Sequence, residues 1–320
     1  MIHPFFFHYI AIPNRFPNDL CYISLGERIM KYGIVDIGSN TVVLIIYNTE
    51  TPVPEILLHK SAPVHLVGYI EDGHMKQEGI ERTCETLREY RRIIDEMKAD
   101  DYAAFITEPA RNIDNRDEML KAFREEGFDV QPLSGREEAE CDFEGSRLYV
   151  PQITTGNAFD IGGGSTELIA FRDNEIIEAV SIPYGCVRLS SMEVRNEVTD
   201  PIIREAFEQH PLLTSIPSGT IVGIGGTCRA AGLLCDAVYG TGKTMTRKEL
   251  GEIYRKLHDM DPEMTELMHK VVSKGRWDVF MPGVNMLLSI LWAYNADTVV
   301  ISEGCVREGF LLRQMKKQCG

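Results

Sequence analysis

Short apolar runs alternate along this chain with longer amphipathic segments. Three runs with the length and composition of β-strands come first, and a segment with apolar residues at helical spacing follows them. The three runs are 33–36, 42–47 and 55–60, and the helical segment is 77–97. Shorter strand and helix patterns then alternate, at 102–107, 117–126 and 130–133. This order of elements predicts an α/β domain.

A second domain is predicted because a similar order of elements starts again near the middle of the chain. Its later strand patterns are 220–224 and 298–302, and its helix patterns are 227–237, 247–260, 283–295 and 305–317. The junction falls near 146–156, which contains Pro151 and Gly156, residues typical of a loop. We therefore predict one domain at 30–148 and another at 149–304.

Two similar turn motifs, one in each predicted domain, support this division. In each, an apolar run ends in Asp, a turn of small and hydroxyl residues follows, and a second apolar run begins. Loop 1 consists of Gly38, Ser39, Asn40 and Thr41 after Asp36, and loop 2 consists of Gly162, Gly163, Gly164 and Ser165 after Asp160. A repeated strand–turn–strand unit predicts two domains of one fold, whose loops form the floor of a shared cleft.

The chemistry of both loops indicates phosphate binding. Gly-rich turns expose backbone N–H groups that bind anions, and nearby hydroxyl groups add further donors. Asp36 and Asp160 end their strands at the loops, where a carboxylate can hold Mg²⁺ directly or through water. A single loop of this kind is also common in ordinary β-hairpins. Two loops in matching context make that alternative much weaker.

A third glycine-rich turn, Gly225, Gly226 and Thr227, joins a strand pattern to a helix pattern. Such a helix N-terminus binds anions, although the same residues also suit a plain tight turn. A further segment, 237–244, partly fits a nucleotide-binding P-loop and contains Lys243. A helix pattern precedes it where a P-loop requires a strand, so we predict that it is not one.

Composition and charge narrow the function classes. The 320 residues are 44% hydrophobic and 25% charged, a normal globular balance. The net charge of −15 argues against nucleic-acid binding, and it requires that arginines or a metal ion meet a polyanionic substrate locally. The eight cysteines show neither a Cys-x-x-Cys pair nor zinc spacing, so we expect a reduced, cytoplasmic protein.

The first 29 residues differ from the rest of the chain. They are rich in aromatic residues and Pro, and their apolar run 5–12 is too short to span a membrane and lacks the basic segment of a signal peptide. We therefore expect no membrane partner. Met30 stands immediately before the first strand pattern, and we interpret it as the true start, with 1–29 as a non-native or disordered leader.

Taken in order, the motifs resemble those of the exopolyphosphatase/guanosine pentaphosphate phosphohydrolase (Ppx/GppA) family, in the sugar kinase/Hsp70/actin superfamily. Besides the three turns they are Leu133-Ser-Gly-Arg-Glu-Glu-Ala, Tyr184-Gly-Cys-Val-Arg-Leu, Asp278-Val-Phe-Met-Pro-Gly and Ser302-Glu-Gly-Cys-Val-Arg-Glu-Gly. The resemblance runs from about Lys31 to the C-terminus. It implies two ribonuclease H-like (actin-like ATPase) domains with an interdomain cleft, and a C-terminal helix, 305–320, that packs back on the first domain.

The resemblance also implies roles for single residues. It makes Glu138 the catalytic base that activates water, although Glu138 also suits a helix N-terminus. It associates Asp160 and Glu167, with Asp36 across the cleft, with the metal ion, whereas the alternative is that Glu167 is an exposed strand residue. Arg111 is expected to clamp a substrate phosphate with its forked guanidinium.

Other residues have two interpretations. Asn115 either caps the next helix or touches substrate, and Arg188 and Arg307 either bind phosphate or form structural ion pairs. The chain departs from the family at Glu108, where small residues are usual, and this added carboxylate lies near an expected anion site.

The implied activity is Mg²⁺-dependent hydrolysis that releases terminal orthophosphate from inorganic polyphosphate. The alternatives are hydrolysis of guanosine pentaphosphate (pppGpp) and phosphate transfer from polyphosphate to ADP. A non-catalytic binding module is a further class, which the loop aspartates and Glu138 argue against. The resemblance also suggests a homodimer. Chain-length preference and metal identity are not encoded in any of these motifs.

Overall fold

The computed structural model describes residues 30–192, 196–217 and 219–319. The predicted leader, 1–29, lies outside the described residues. No helix in the described ranges is both long and apolar enough to cross a membrane.

The first half of the chain forms a five-stranded sheet, a separate two-stranded hairpin and helices. Its strands are β1 (Lys31–Ile37), β2 (Thr41–Asn48), β3 (Glu55–Pro63), β4 (Ile70–Glu71), β5 (His74–Met75), β6 (Asp101–Ile106) and β7 (Val130–Pro132), and its helices are α1 (Gln77–Glu96), α2 (Arg116–Glu125) and α3 (Gly135–Arg147). The sheet order is β3-β2-β1-β6-β7, and β4 and β5 form a separate hairpin. β1, β2 and β3 are antiparallel neighbours, whereas β6 and β7 continue the sheet in parallel.

The second half forms a six-stranded sheet. Its strands are β8 (Gly156–Ile161), β9 (Thr166–Arg172), β10 (Glu175–Ile182), β11 (Thr220–Ile224), β12 (Thr244–Thr246) and β13 (Thr298–Ile301). Its helices are α4 (Cys186–Ser191), α5 (Asn196–Gln209), α6 (Gly225–Tyr239), α7 (Arg247–His258), α8 (Pro262–Val271) and α9 (Trp277–Ala293), and α10 (Val306–Cys319) follows the last strand. The sheet order is β10-β9-β8-β11-β13-β12.

The two sheets share one plan. In each, three antiparallel strands come first in the chain and two parallel strands extend the sheet beyond the first of them. β12 adds an antiparallel edge to the second sheet only. This shared plan confirms the predicted α/β fold class of two ribonuclease H-like (actin-like ATPase) domains.

Helices α3 and α10 pack together within a core cluster that contains residues of both sheets. Phe310 of α10 contacts Phe105 of the first sheet, with ring centroids 4.7 Å apart, and Phe143 of α3 contacts Phe171 of the second sheet at 4.9 Å. The C-terminal helix therefore contacts the first sheet although it follows the second in the chain.

Helix α9 begins six residues before the predicted start at Gly283, and it holds Pro282 in its interior. A proline has no N–H to donate to the carbonyl four residues earlier, which is why the sequence pattern favoured a start after it. Here the carbonyl of Asp278 accepts a hydrogen bond from the Ser190 hydroxyl at 3.2 Å. This contact with α4 satisfies the group that Pro282 leaves unpaired.

Candidate active site

Loops 1 and 2 are closed by the same hydrogen bond. In loop 1 the Gly38 N–H donates to the Thr41 carbonyl at 3.0 Å, and in loop 2 the Gly162 N–H donates to the Ser165 carbonyl at 3.0 Å. Each bond closes the turn between the two strands that flank the loop. The sequence repeat is therefore also a repeat of local structure.

The loops lie at the floor of a cavity of about 590 Å³. Most of the predicted site residues line it: Asp36, Gly38, Ser39, Asn40, Thr41, Glu138, Asp160, Gly162, Gly163, Gly164, Ser165, Gly225 and Gly226. Arg111, Glu167 and Thr227 are not part of this lining. A Cβ placed on Gly163 would lie 3.4 Å from the Cβ of Ser39, so the two loops approach each other closely.

The third turn forms another wall of the cavity. Gly225 begins α6 with a φ of 76°, and a Cβ at this position would lie 1.9 Å from Oδ1 of Asp160. Only glycine allows so close an approach in that backbone conformation. Thr227 donates its hydroxyl to the Ile161 carbonyl at 2.8 Å, which ties the turn to β8. The segment is thus both a tight strand-to-helix turn and part of the cavity wall.

Two neighbouring glutamates at the start of α3 have different partners. Ser134 caps the helix, because its Oγ accepts from the Glu137 N–H at 3.2 Å and its own N–H donates to the Glu137 carboxylate at 2.8 Å. Glu138 takes no part in this capping box. Its carboxylate lines the cavity and is ion-paired with Arg111.

Arg111 is held on three sides. Besides Glu138, its Nε donates to the Leu133 carbonyl at 3.3 Å and its Nη1 donates to the Ser181 hydroxyl at 3.1 Å. Ser181, on β10 of the second sheet, donates in turn to Oε1 of Glu167 at 2.6 Å. The guanidinium therefore positions Glu138 in this structure, and its role as a phosphate clamp stays a prediction.

Asp160 and Glu167 lie directly opposite each other on β8 and β9, so their side chains share one face of the second sheet. Glu167 is only 1% exposed, so the interpretation as an exposed strand residue is wrong. Asp36 lies at the equivalent position of the first sheet, 3.6 Å from Nη1 of Arg307. Arg307 is thus an ion-pair partner that also lines the cavity.

One acidic side chain close to Asp160 and Glu167 was not predicted. Asp142 lies on α3, one turn after Glu138, and is 1% exposed. Burial, followed by the charges of Asp160 and Glu167, raises its pKa well above the ordinary value. Burial and the charge of Asp160 likewise raise the pKa of Glu167 to about 7. Asp142 escaped sequence analysis because a lone acid in an amphipathic helix resembles a surface residue.

These carboxylates suit a hard divalent cation. Carboxylate oxygens are preferred Mg²⁺ ligands, and the Asp142 carboxylate is buried close to those of Asp160 and Glu167. Across the described ranges, no three His, Cys, Asp or Glu side chains are arranged to hold an ion alone. Mg²⁺ commonly uses one or two carboxylates and completes its shell with water and phosphate oxygens, which fits Asp160 and Glu167.

Three arginines supply positive charge to the cavity: Arg229, Arg276 and Arg307. A Cβ on Gly226 would lie 1.8 Å from Nη2 of Arg276, so this guanidinium lies directly against the third turn. Among the described residues, neither Arg229 nor Arg276 has a carboxylate partner within ion-pairing distance. Sequence analysis missed Arg276, because it lies far from the glycine-rich motifs in the chain and reaches them only through the fold.

The comparisons with known proteins show the family of this chain. A model described as the Ppx/GppA phosphatase family matches residues 45–318. The chain belongs to the Ppx/GppA phosphatase family. Among curated relatives, it is 26% identical over 309 residues to a bifunctional 3-dehydroquinate synthase/phosphatase of Fusobacterium nucleatum, covering 86% of this chain and 46% of that protein. It is 23% identical over 295 residues to a putative exopolyphosphatase of Haemophilus influenzae, covering 89% and 91%. The chain therefore spans about half of the first relative and most of the second.

Solved structures show the same fold. An exopolyphosphatase from Cytophaga hutchinsonii matches with a TM-score of 0.79 and 21% identity, over 90% of this chain and 98% of that one. A Ppx/GppA family member from Aquifex aeolicus matches with a TM-score of 0.73 and 26% identity, over 92% and 100%.

Glu108, which sequence analysis singled out, has partners on both sides of the cavity. Its carboxylate is ion-paired with Arg188 of α4 and accepts a hydrogen bond from the Ser39 hydroxyl at 3.2 Å. Arg188, one of the two arginines with alternative interpretations, is thus an ion-pair partner across the cleft. The sequence singled out Glu108 as a departure from the family but gave no sign of its partner.

Two other predictions concern residues away from the cavity. Asn115 precedes α2 but makes no capping bond, because its amide exchanges two 2.9 Å hydrogen bonds with the backbone of Met75 instead. Lys243 follows α6 rather than a strand and is ion-paired with Glu303 at 2.7 Å. The prediction that its segment is not a P-loop is confirmed.

Proposed function

We propose that this protein is an exopolyphosphatase, which hydrolyses the terminal phosphoanhydride bond of inorganic polyphosphate with the help of Mg²⁺. The observation that carries this proposal is the position of Glu138. Its carboxylate lines one cavity with both glycine-rich loops and is held in place by Arg111. A base fixed beside two anion-binding loops is the arrangement that hydrolysis of a phosphate chain requires.

The chain's own residues have separate tasks in this reaction. The N–H groups and hydroxyls of loops 1 and 2 bind the oxygens of the end phosphate, and Arg229 and Arg276 meet the negative charge of the phosphates that follow. Glu138 accepts a proton from water as the water oxygen attacks the terminal phosphorus. The bond from that phosphorus to the bridging oxygen breaks, and orthophosphate and a shortened chain leave.

The acidic side chains of the cleft would hold the cation. Asp160 and Glu167 would bind Mg²⁺ on the side of the second sheet, with Asp36 on the opposite side of the cleft. When bound, the ion neutralises charge that develops on the phosphate oxygens. Arg111 and Ser181 keep the base and Glu167 in a fixed relation, because Ser181 bonds to both Arg111 and Glu167.

Hydrolysis of pppGpp is the second candidate. The observation that favours it is the wall formed by the third turn with Arg229 and Arg276, which gives the cavity a basic extension beyond the loops. A guanosine with its 3′-phosphates could occupy this extension while the 5′-phosphates reach loops 1 and 2. The same base would then serve both substrates.

Comparing the rates of phosphate release from the two substrates distinguishes these proposals. Orthophosphate release is measured with Mg²⁺ on long-chain polyphosphate and on pppGpp at equal concentrations of phosphate ends, with ADP present or absent. Fast release from polyphosphate without ADP supports the exopolyphosphatase. Preference for pppGpp supports the second candidate, and ATP formed from ADP contradicts hydrolysis as the main reaction. No release from either substrate contradicts both.

A further inference from the structure

The carboxylate of Glu108 lies between the two phosphate-binding loops. It accepts from Ser39 of loop 1, and a Cβ placed on Gly164 of loop 2 would lie 2.6 Å from its Oε2. Glu108 is 8% exposed and lines the same cavity as Glu138. A negatively charged group thus stands where the loops offer their donors to an anion.

Glu108 also joins the two halves of the site. It belongs to the short helical turn after β6 of the first sheet, whereas its ion-pair partner Arg188 belongs to α4, which follows β10 of the second sheet. The side chain of Arg188 is 39% exposed, so an arriving anion can reach its guanidinium. The forked guanidinium binds a phosphate as well as it binds a carboxylate.

We propose that Glu108 is a specificity-determining latch, which occupies the anion position between the loops and holds Arg188 until a substrate phosphate displaces it. Ser39 and Arg188, which bind the carboxylate in the latched state, then bind the phosphate. Arg188 is accordingly a substrate-binding residue of the site. This inference rests on the proposed function.

The physical reason is competition between like charges. A phosphate bound to both loops would lie beside the Glu108 carboxylate, and like charges brought together at a binding site repel each other. The carboxylate must therefore leave before a phosphate can bind, and the broken Glu108–Arg188 pair is part of the cost of binding. A substrate with several phosphates offsets this cost better than orthophosphate does, because it makes further contacts with Arg229 and Arg276.

The test measures binding of tripolyphosphate without turnover. The parent protein is the Glu138→Gln variant, and calorimetric titrations in Mg²⁺ compare it with the same protein carrying Glu108→Gln. Gln keeps the size and hydrogen-bonding oxygen but removes the charge, so we expect about tenfold tighter binding. The matched control is Glu89→Gln, because Glu89 is also paired with a cation, Lys60, but lies on the surface. It should leave the affinity unchanged.

A double-mutant comparison separates the latch from a general effect of charge. Arg188→Gln should weaken binding, and in that background Glu108→Gln should gain much less than tenfold, because the two residues act as a pair. Equal affinities of the parent protein with and without Glu108→Gln would overturn the latch, and so would a gain that is the same with and without Arg188. Tripolyphosphate that binds to none of the proteins would contradict the proposed function itself. Circular dichroism confirms that each variant is folded.

Discussion

The side chains of the ion-paired Arg111 and Glu138 are 17% and 12% exposed, and the pair joins the segment after β6 to the start of α3. A pair so far removed from water is screened less by salt than a surface pair, and its geometry is fixed by further hydrogen bonds to Leu133 and Ser181. This arrangement gives the proposed base one orientation toward the loops.

Arg111→Lys should therefore retain the fold and lose most of the turnover. Lysine keeps the charge but cannot bond to Glu138, Leu133 and Ser181 at once, so we expect about a hundredfold loss of kcat. The measurement is steady-state phosphate release, with a thermal melt to show that the variant is folded. Arg136→Lys is the control, since Arg136 pairs with Glu140 on the exposed side of α3, the helix that carries Glu138. Near-normal kcat in Arg111→Lys would contradict the positioning role.

The buried carboxylates predict how stability depends on pH. Burial, offset in part by Arg307, raises the pKa of Asp36 to about 6, and burial with the charge of Asp160 raises that of Glu167 to about 7. Above their ordinary pKa values the folded protein keeps protons that the unfolded chain has released. The free energy of unfolding of the metal-free protein should therefore fall as the pH rises from about 4 to about 7.

The measurement is urea unfolding at several pH values, in EDTA and in Mg²⁺. Bound Mg²⁺ offsets the repulsion among the ionised carboxylates, so the fall should be smaller with the ion than with EDTA. A metal-free protein that becomes more stable over this pH range would contradict the raised pKa values. Identical curves in EDTA and Mg²⁺ would contradict the proposed cation site.

Asp142→Asn tests the unpredicted acid without using turnover. Burial favours the neutral form of Asp142, and Asn is neutral without taking up a proton on folding, so the melting temperature in EDTA at pH 8 should rise. The stabilisation by Mg²⁺ should decrease, because the ion then meets less negative charge. Glu144→Gln on the same helix, whose carboxylate pairs with Arg313 away from the cavity, should change the Mg²⁺ effect little. If Mg²⁺ stabilises Asp142→Asn as much as the unaltered protein, Asp142 is not part of the cation site.

Gly309→Ala tests the packing that places α3. A Cβ at Gly309 would lie 1.9 Å from the carbonyl oxygen of Cys141 in the neighbouring helix, so the two helices must separate. We expect a loss of about 2 kcal/mol or more in the free energy of unfolding. Gly251→Ala in α7 is the matched control, because nothing lies within 4 Å of its Cβ position. It should stabilise the protein by about 0.5–1 kcal/mol, and equal effects of the two changes would contradict the close packing.

Sequence analysis could predict the fold class because its signals are local. The strand–turn–strand repeat is written in consecutive residues, and the Gly38 and Gly162 turns have the same hydrogen bond. Helix bounds were less predictable where a tertiary contact compensates for a local cost. The start of α9 is such a case, since the Ser190 hydroxyl bonds to the carbonyl that Pro282 leaves free.

The site was predictable only as far as its residues belong to those local motifs. Ser181, Asp142 and Arg276 reach the site through strand and helix packing, and no short pattern identifies them. The partners of charged residues are also set by the fold. Sequence analysis named Arg111, Glu108 and Glu138, but it could not say which carboxylate each arginine would bind.

The most direct test compares Glu138→Gln with Glu137→Gln for phosphate release from polyphosphate in Mg²⁺. The two changes are adjacent and chemically identical, but Glu137 serves the capping box, where Gln is also suitable, whereas Glu138 lines the cavity. The account predicts that Glu138→Gln loses at least about a hundredfold in kcat and that Glu137→Gln stays near normal. Full activity in Glu138→Gln, or an equal loss in both variants, would contradict the assignment of Glu138 as the base.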